Sequence, residues 1–144
     1  LEGHITGSAW VIDTSKTRTL LTHHKKLGKW LQLGGHSDGD PDTLNVALRE
    51  AQEESGIQEI TILLDEIFDI DIHLIPARKE EPEHYHYDIR FLLQAQSDAF
   101  QISEESTNLA WVSVAEIPNY SSEWSLLRMM KKHQRHTAQS LTKP

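Results

Sequence analysis

The sequence predicts an α+β fold in which a mixed β-sheet is flanked by helices. Short apolar stretches rich in β-branched and aromatic residues recur along the chain and are typical of strands. Two segments of unequal length carry helix signals, and strands and helices do not alternate as they would in a repeated βαβ sheet. The 144 residues are expected to form a single domain over residues 1–144, and a start at Leu1 and not Met leaves room for a short upstream segment.

The first part of the chain predicts a hairpin followed by a third strand. Residues 5–12 and 17–22 are apolar and rich in β-branched side chains, and the polar cluster 13–16 between them is typical of a turn. Residues 30–33 form a shorter strand candidate. The dipeptide Gly34-Gly35 is expected to end it, because glycine permits a close approach of the backbone to a ligand or to another strand.

A helix is predicted over residues 41–55. Asp40 is expected to be its N-cap, with Pro41 at the first helical position and Asp42 in the first turn. Gly56 is the stop signal, because glycine readily adopts the left-handed conformation that ends many helices. An apolar stripe with the spacing i, i+3, i+4, i+7 is expected to pack on the sheet. Its members are Leu44, Ala47, Leu48 and Ala51.

The second half of the chain predicts further strands. Mixed alternation over residues 61–74 and cleaner alternation over 87–95 indicate two strands joined by the charged loop 76–83. Residues 109–114 are the next strand candidate.

A final helix is expected to begin after a capping serine, Ser121 or Ser122, and to end at about Gln134. Its apolar residues are expected to face the sheet. They are Trp124, Leu127 and Met130. The remaining residues, 135–144, are expected to be frayed.

The charge balance restricts the class of ligand. The chain has 14 Lys and Arg against 22 Asp and Glu, a formal net charge of −8, which argues against polymeric nucleic acid as a partner because that requires a basic surface. A small anionic ligand would need a local cation, either a bound metal or the cluster Lys25, Lys26 and Lys29. Cysteine is absent, and no apolar run approaches the roughly 18 residues of a membrane span. We therefore expect a cytoplasmic protein without a membrane partner.

Three carboxylates crowd one sector of the predicted helix. Glu50, Glu53 and Glu54 fall within about 100° beside the apolar stripe. Like charges at this spacing cost roughly 0.2 to 0.5 kcal/mol per pair, and a bound cation would offset the repulsion. Hard oxygen ligands suit Mg²⁺ or Mn²⁺, which keep coordination positions for substrate phosphate oxygens. The alternative is a solvated acidic face in which Arg49 pairs with Glu53 at i+4.

One segment of the chain resembles a known family motif. Residues 35–57 read GHSDGDPDTLNVALREAQEESGI and resemble the Nudix box, G-x5-E-x7-R-E-U-x-E-E-x-G-U, in which U is aliphatic. The matching positions are Gly35, Arg49, Glu50, Ala51, Glu53, Glu54, Gly56 and Ile57. The first glutamate of the box falls on Pro41, which can neither bind metal nor accept a proton, although Asp40 and Asp42 flank it. The strand order also resembles the Nudix α/β/α sandwich, with the box helix on one side of the sheet and the C-terminal helix on the other.

The resemblance implies metal-dependent hydrolysis of a nucleoside diphosphate linked to another moiety. Water would attack a phosphorus atom at a site loaded with Mg²⁺ or Mn²⁺. The implied metal ligands are Glu50, Glu53 and Glu54, together with the backbone carbonyl of Gly35. The implied partner is a small-molecule nucleoside diphosphate derivative.

Further catalytic roles follow from the same resemblance. Arg49 is expected to orient a glutamate of the site. The general base is expected to be a box glutamate or a loop carboxylate, and Glu105 is the best placed loop candidate, with Glu104 next. The alternative for both loop residues is a solvated acidic turn.

Two other functions compete with hydrolysis. Because Pro41 replaces a glutamate, the chain is alternatively a catalytically weak Nudix-like module that binds a nucleotide metabolite for regulation. The intact carboxylate cluster favours catalysis over this alternative. An isomerase acting on a diphosphate-bearing substrate would need an extra nucleophile or base that the sequence does not identify. A homodimer is expected as a family tendency, since symmetric dimers are the commonest assembly.

A second polar pattern lies on a strand candidate. His84, His86, Asp88 and Arg90 alternate along the chain and would therefore share one face of a strand. Such a face could contact substrate or, with a third ligand, bind zinc. A polar outer strand face is the preferred alternative.

Overall fold

The computed structural model of the protein describes residues 3–36, 39–104 and 106–142. Within these ranges, eight strands and two long helices are joined by turns, loops and one 3₁₀ helix. In chain order they are β1 (Gly3–Ile12), β2 (Arg18–His24), β3 (Trp30–Leu31), β4 (Leu33–His36), α1 (Thr43–Ser55), β5 (Ile60–Ile62), β6 (Asp69–Ile75), β7 (His84–Ala95), β8 (Ser106–Ser113), the 3₁₀ helix (Val114–Asn119) and α2 (Trp124–Thr142).

The sheet is organised around the parallel pair of β1 and β7. Their register runs from Gly3 opposite Tyr85 to Ile12 opposite Gln94. Strands β5 and β6 are antiparallel to β7, and β4 is antiparallel to β1. Strand β2 pairs with β3 and β8, also antiparallel. The sheet is therefore mixed, as the sequence predicts.

Side chains of β1 alternate between two hydrophobic cores. Ala9 and Val11 contact the core that α1 covers, and Trp10 and Ile12 contact the core that α2 covers. This alternation follows from strand geometry, in which successive side chains point to opposite faces. The predicted stripe of α1 packs against the first core. The arrangement is an α/β/α sandwich, which confirms the predicted fold class.

Helix α1 begins at Thr43 and not at the predicted Pro41. Its N-cap is Asp42, whose side chain accepts a hydrogen bond from the Asn45 N–H at 3.1 Å. Asp40 in turn accepts a hydrogen bond from the Asp42 N–H at 2.9 Å. Pro41 lies between these two aspartates and precedes the helix. The C-terminal prediction is confirmed, because the C-cap is a glycine with φ of 72°.

Three strand predictions need adjustment. The strand predicted at residues 30–33 is divided at Gln32 into β3 and β4, and β4 continues through the two glycines. Position 34 needs a glycine, because a Cβ added there would lie only 2.5 Å from the Ser8 Cβ on β1. The predicted strand 61–74 is two strands, β5 and β6. The predicted hairpin forms its turn, but β1 and β2 pair only at Ile12 and Thr19 in the described register. Beyond that position β1 pairs with β7 and β2 pairs with β8.

Helix α2 is longer than predicted and buries a different face. It runs from Trp124 to Thr142 and so includes much of the segment predicted to be frayed. Its buried residues in the described core are Leu126, Met129 and His133. Of the predicted residues, Trp124 is 70% exposed, while Leu127 and Met130 are partly buried. Within the described ranges, no helix has the length and apolar character needed to cross a membrane.

A buried histidine, His133, lies where α2 contacts the rest of the fold. The Trp10 Nε1–H donates to Nδ1 of His133 at 3.0 Å, which leaves the His133 proton on Nε2, where it donates to the Lys16 carbonyl at 2.8 Å. These bonds tie the helix to β1 and to the turn after it. Burial lowers the pKa of His133 below its ordinary value, and the bond to the Lys16 carbonyl opposes this shift.

Acidification should destabilise the protein through His133. Because its pKa is lower in the folded state, the unfolded chain binds the proton more readily, and the free energy of unfolding falls as the pH drops through about 6.5 towards the folded pKa. Urea unfolding at about pH 7.5 and about pH 5.5 measures this loss. His133→Gln keeps an acceptor and a donor at this position and should reduce the pH dependence. An undiminished pH dependence in that variant would contradict the role of His133.

Candidate active site

The polar half of the sheet lines a cleft of about 650 Å³. Strands β1 and β7 form its floor. Gly34, Gly35 and Glu54 line it at the end where β4 meets β1, and residues of β6 and β7 line it further along. The first residue of α2 lines it too, so the cleft lies between elements from both halves of the chain. The floor residues are Thr6, Ser8, His86, Asp88 and Arg90.

Glu54 is the box carboxylate that reaches this cleft. It lies in the last turn of α1 and is 7% exposed. One of its carboxylate oxygens accepts a hydrogen bond from the Gly34 N–H at 3.1 Å. The helix and β4 are therefore joined at the site by a charge-assisted hydrogen bond.

Glu50 lies one helical turn before Glu54, against Gly35. A Cβ at Gly35 would come within 2.6 Å of the Glu50 carboxyl carbon, so any larger residue would displace this carboxylate from its position against the backbone. Glu53 is exposed. As the side chains stand, no three His, Asp or Glu residues in the described part of the chain are grouped so that they could hold a metal ion. The structure thus brings two of the three predicted carboxylates to the double glycine, while the third faces solvent.

Arg49 forms its ion pair with Asp40, and not with Glu53 as the solvated-face alternative requires. The Arg49 Nη1 lies 3.5 Å from an Asp40 carboxylate oxygen. Hydrogen bonds from the Asp42 N–H and the Asn45 amide, with the charge of Arg49, hold the pKa of Asp40 below its ordinary value. Asp40 therefore connects the loop before α1 with the arginine of the box.

Asp88 lies on the cleft floor, and this corrects the preferred prediction that its segment presents a polar outer strand face. The residue is 8% exposed. Its carboxylate accepts hydrogen bonds from Thr6 Oγ1 at 2.8 Å, Gln32 Nε2 at 3.2 Å and Arg90 Nε at 2.8 Å, and also from the Ser8 hydroxyl. The signal that could have located it is the alternation of polar residues with tyrosine and isoleucine along β7, which assigns the polar ones to one face.

A buried ion network supports the floor from the side of α2. The Asp69 carboxylate has no exposed side-chain surface and accepts from Arg90 at 3.1 Å, from Arg128 at 2.8 Å and from Lys132 at 2.6 Å. Burial alone would raise the pKa of Asp69, but the hydrogen bonds and charges of Arg128 and Lys132 hold it below its ordinary value. No local sequence pattern predicts this network, because its members lie on three separate elements.

The sequence also predicts loop carboxylates and a cluster of lysines for the site. Glu105 lies outside the described residues. Glu104 is exposed, and its backbone carbonyl accepts a hydrogen bond from Lys25 Nζ at 2.9 Å. Lys29 lines the cleft and pairs with Glu123 at 2.7 Å. Two of the lysines predicted to hold phosphates therefore contact acceptors within the chain.

Comparison with known proteins assigns the chain to a family. A family model described as the NUDIX domain matches residues 4–136. The chain belongs to the Nudix family. The match confirms the resemblance based on residues 35–57. As a member of this family, the protein is a hydrolase that acts on pyrophosphate bonds.

Solved structures share the Nudix fold with this protein. A NUDIX-family hydrolase from Clostridium perfringens is 25% identical with a TM-score of 0.71, over 93% of this chain and 98% of that chain. An Ap4A hydrolase binary complex from C. elegans is 18% identical with a TM-score of 0.72, over 94% and 98%. A MutT protein from Methanosarcina mazei Go1 is 18% identical with a TM-score of 0.68, over 94% and 96%. Among curated proteins, none matches the chain.

Removing the charge of Asp69 should strongly destabilise this Nudix fold. Asp69→Asn leaves three neighbouring cations without their buried counter-ion, and the free energy of unfolding should fall by about 3 kcal/mol. Asp98→Asn is the matched control, because that side chain is 71% exposed and lies 3.7 Å from Arg18; its loss should stay below about 1 kcal/mol. Urea unfolding at constant pH measures both, and equal losses would contradict the importance of the buried network.

Proposed function

We propose that this Nudix protein hydrolyses a nucleoside diphosphate linked to another moiety, with water attacking a phosphorus atom. The observation that carries the proposal is the pair of box carboxylates at the double glycine. Glu54 is bonded to the Gly34 N–H, and Glu50 is seated on Gly35. The cleft beside them, at about 650 Å³, has the size of a small-molecule site.

The chemistry of this donor set fits Mg²⁺ or Mn²⁺. Carboxylate and carbonyl oxygens are the hard ligands that these ions prefer, and the lack of a side chain at Gly35 lets a carboxylate reach the backbone there. We assign Glu50, Glu53 and Glu54 as ligands, with the carbonyl of Gly35. When bound, the ion would neutralise charge on the pyrophosphate oxygens and lower the pKa of the attacking water.

Other charged residues have supporting roles in the proposal. Arg49 is a positioning residue, since its pair with Asp40 fixes the loop that leads into α1. Asp88 is a second positioning residue, because its oxygens orient hydroxyl and amide groups on the cleft floor. Glu105 is proposed as the general base, and a box glutamate is the alternative.

The proposed substrate is a small nucleotide derivative and not a polymer. Two structural neighbours are an Ap4A hydrolase and a MutT protein, which supports a nucleotide class without identifying one compound. The formal net charge of −8 opposes binding of a long polyanion. Leu27, Leu31 and Trp124 also line the cleft and offer apolar surface for a nucleobase.

Glu54→Gln should abolish most turnover while the fold is retained. The amide oxygen can still accept the Gly34 N–H, but the negative charge needed for a metal ligand is gone. With Mg²⁺ present, turnover should fall at least about 100-fold, or roughly 2.7 kcal/mol in the barrier. The measurement is product release from the best substrate in a screen of dinucleoside polyphosphates, nucleotide sugars, ADP-ribose and nucleoside triphosphates.

The matched control for this prediction is Glu59→Gln, which makes the same chemical change at an exposed residue outside the cleft. Its turnover should equal that of the unmodified protein. Thermal melting of both variants tests folding. Unchanged turnover in a folded Glu54→Gln variant would overturn the proposed metal site.

A regulatory module with weak catalysis remains the second candidate because Pro41 replaces a box glutamate. The structure supplies an observation against it. Pro41 is exposed and lies outside α1, and Asp40 beside it holds Arg49. The substitution therefore leaves the helix that presents Glu50 and Glu54 intact.

Pro41→Glu should change turnover by less than about tenfold, or roughly 1.4 kcal/mol. The reason is that the residue precedes the helix and that Asp40 already provides a carboxylate for Arg49. Steady-state kinetics with the same substrate and metal measure the change. A gain well above tenfold would instead favour the weakly catalytic module.

A further inference from the structure

Four histidines meet on the polar face of the sheet, away from the box glutamates. The ring centroids of His4 and His84 are 4.5 Å apart, those of His73 and His86 are 5.2 Å apart, and those of His84 and His86 are 6.4 Å apart. We call these four residues the histidine cluster. His73 and His86 line the cleft, and His84 is buried.

Strand register brings these rings together. His86 on β7 is the direct partner of His4 on β1 and of His73 on β6. Directly paired residues place their side chains on the same face of a sheet. His84 lies two residues before His86 and therefore shares that face. The cluster is thus a product of the same pairing that forms the cleft floor.

Two of the rings are oriented by bonds at Nδ1. His73 Nδ1 lies 3.1 Å from an Asp71 carboxylate oxygen, and His84 Nδ1 lies 3.0 Å from the Pro82 carbonyl. Each acceptor requires the proton to be on Nδ1. Uptake of a further proton by either ring would then occur at Nε2 and would make both ring nitrogens donors.

The fixed charges beside the cluster balance one another. Three cations and three carboxylates interact on β6, β7 and α2. They are Arg90, Arg128 and Lys132 with Asp69, Asp71 and Asp88. Histidine is the side chain whose charge ordinarily changes between about pH 5 and pH 8. With these charges balanced, the imidazoles of the cluster are the neighbouring groups that can act as cationic donors to an anion.

We propose that the histidine cluster binds a phosphoryl group of the substrate, at a subsite separate from the metal end of the cleft. Protonated imidazoles at these separations repel one another, and a bound dianion would offset that repulsion and accept their N–H groups. Binding is therefore coupled to proton uptake. A protonated cluster would also supply net positive charge, which the balanced ion pairs beside it do not.

The position of the subsite restricts the substrate. Ser8 pairs with Gly34 at the glutamate end, and His4 pairs with His86 in the cluster. The two β1 residues are about 13 Å apart at roughly 3.3 Å per residue. In so far as the proposed hydrolysis is correct, the substrate carries a second phosphoryl group remote from the bond that is cut.

Binding of inorganic sulfate to the full chain, with chelator and without metal, tests the subsite independently of catalysis. Sulfate has the charge and shape of a phosphoryl dianion but does not titrate near neutral pH. Calorimetry at constant ionic strength, at about pH 6 and about pH 8 and in buffers of different ionisation enthalpy, gives affinity and proton uptake. We expect saturable binding at the lower pH, with uptake of at least one proton, and at least tenfold weaker binding at the higher pH.

Two double variants locate the site. His73→Gln with His86→Gln should weaken sulfate binding at about pH 6 at least tenfold, while Lys25→Gln with Lys26→Gln should leave it within about twofold. His73→Gln alone guards against misfolding, because 46% of that side chain is exposed, and it should weaken binding in the same direction. Imidazole NMR spectra of the unmodified protein should show His73 and His86 gaining protons as sulfate is added.

Three outcomes would overturn the subsite. They are the absence of saturable sulfate binding at about pH 6, loss of binding in the lysine variant but not in the histidine variants, and binding that requires an added transition metal. Failure of hydrolysis with every nucleotide would count against the proposed function alone, because the sulfate experiment contains neither substrate nor metal.

Discussion

The parallel register of β1 and β7 is the constraint on which the rest of the structure depends. Side chains alternate with a period of two, so the pairing of Gly3 with Tyr85 also fixes the pairing of Trp10 with Leu92. At one end of the pair both faces are apolar and contact helices. At the other end one face carries Ser8 and Asp88. A slip of one residue would exchange these faces and move the cleft floor to the wrong side of the sheet.

The site depends on buried polar groups that are satisfied by partners from distant parts of the chain. Asp88 receives its donors from β1, from the residue between β3 and β4, and from β7, and Asp69 links β6 and β7 to α2. Charges buried in this way are tolerated only when they are paired and hydrogen-bonded. The same bonds that stabilise the fold therefore limit movement of the cleft floor. Glu54 adds the link from α1 to β4.

Sequence could predict the parts of this structure that depend on local rules. The box helix has an end signal at Gly56 and an apolar stripe of helical periodicity. The same periodicity places Glu54 beside the stripe, but it also predicts that Glu53 lies there, whereas Glu53 is exposed. The helix start was misplaced because Asp40 and Asp42 are equally good caps, and only their geometry distinguishes them. The buried face of α2 includes the contact of His133 with Trp10, which joins distant residues. Such pairings leave no local pattern, so the polar network around Asp88 could not be assembled from the sequence.

The exposed Trp124 gives the molecule an intrinsic optical reporter. Its indole is 70% exposed at the start of α2 and lines the cleft, whereas Trp10 is fully buried in the core. The two indoles therefore sample solvent-like and protein-like surroundings within one chain. Emission from the first should respond when the cleft fills, while emission from the second should change only when the core opens. In a variant with phenylalanine in place of Trp30 and Trp111, which also emit, one fluorescence spectrum could thus separate occupancy of the cleft from unfolding of the protein.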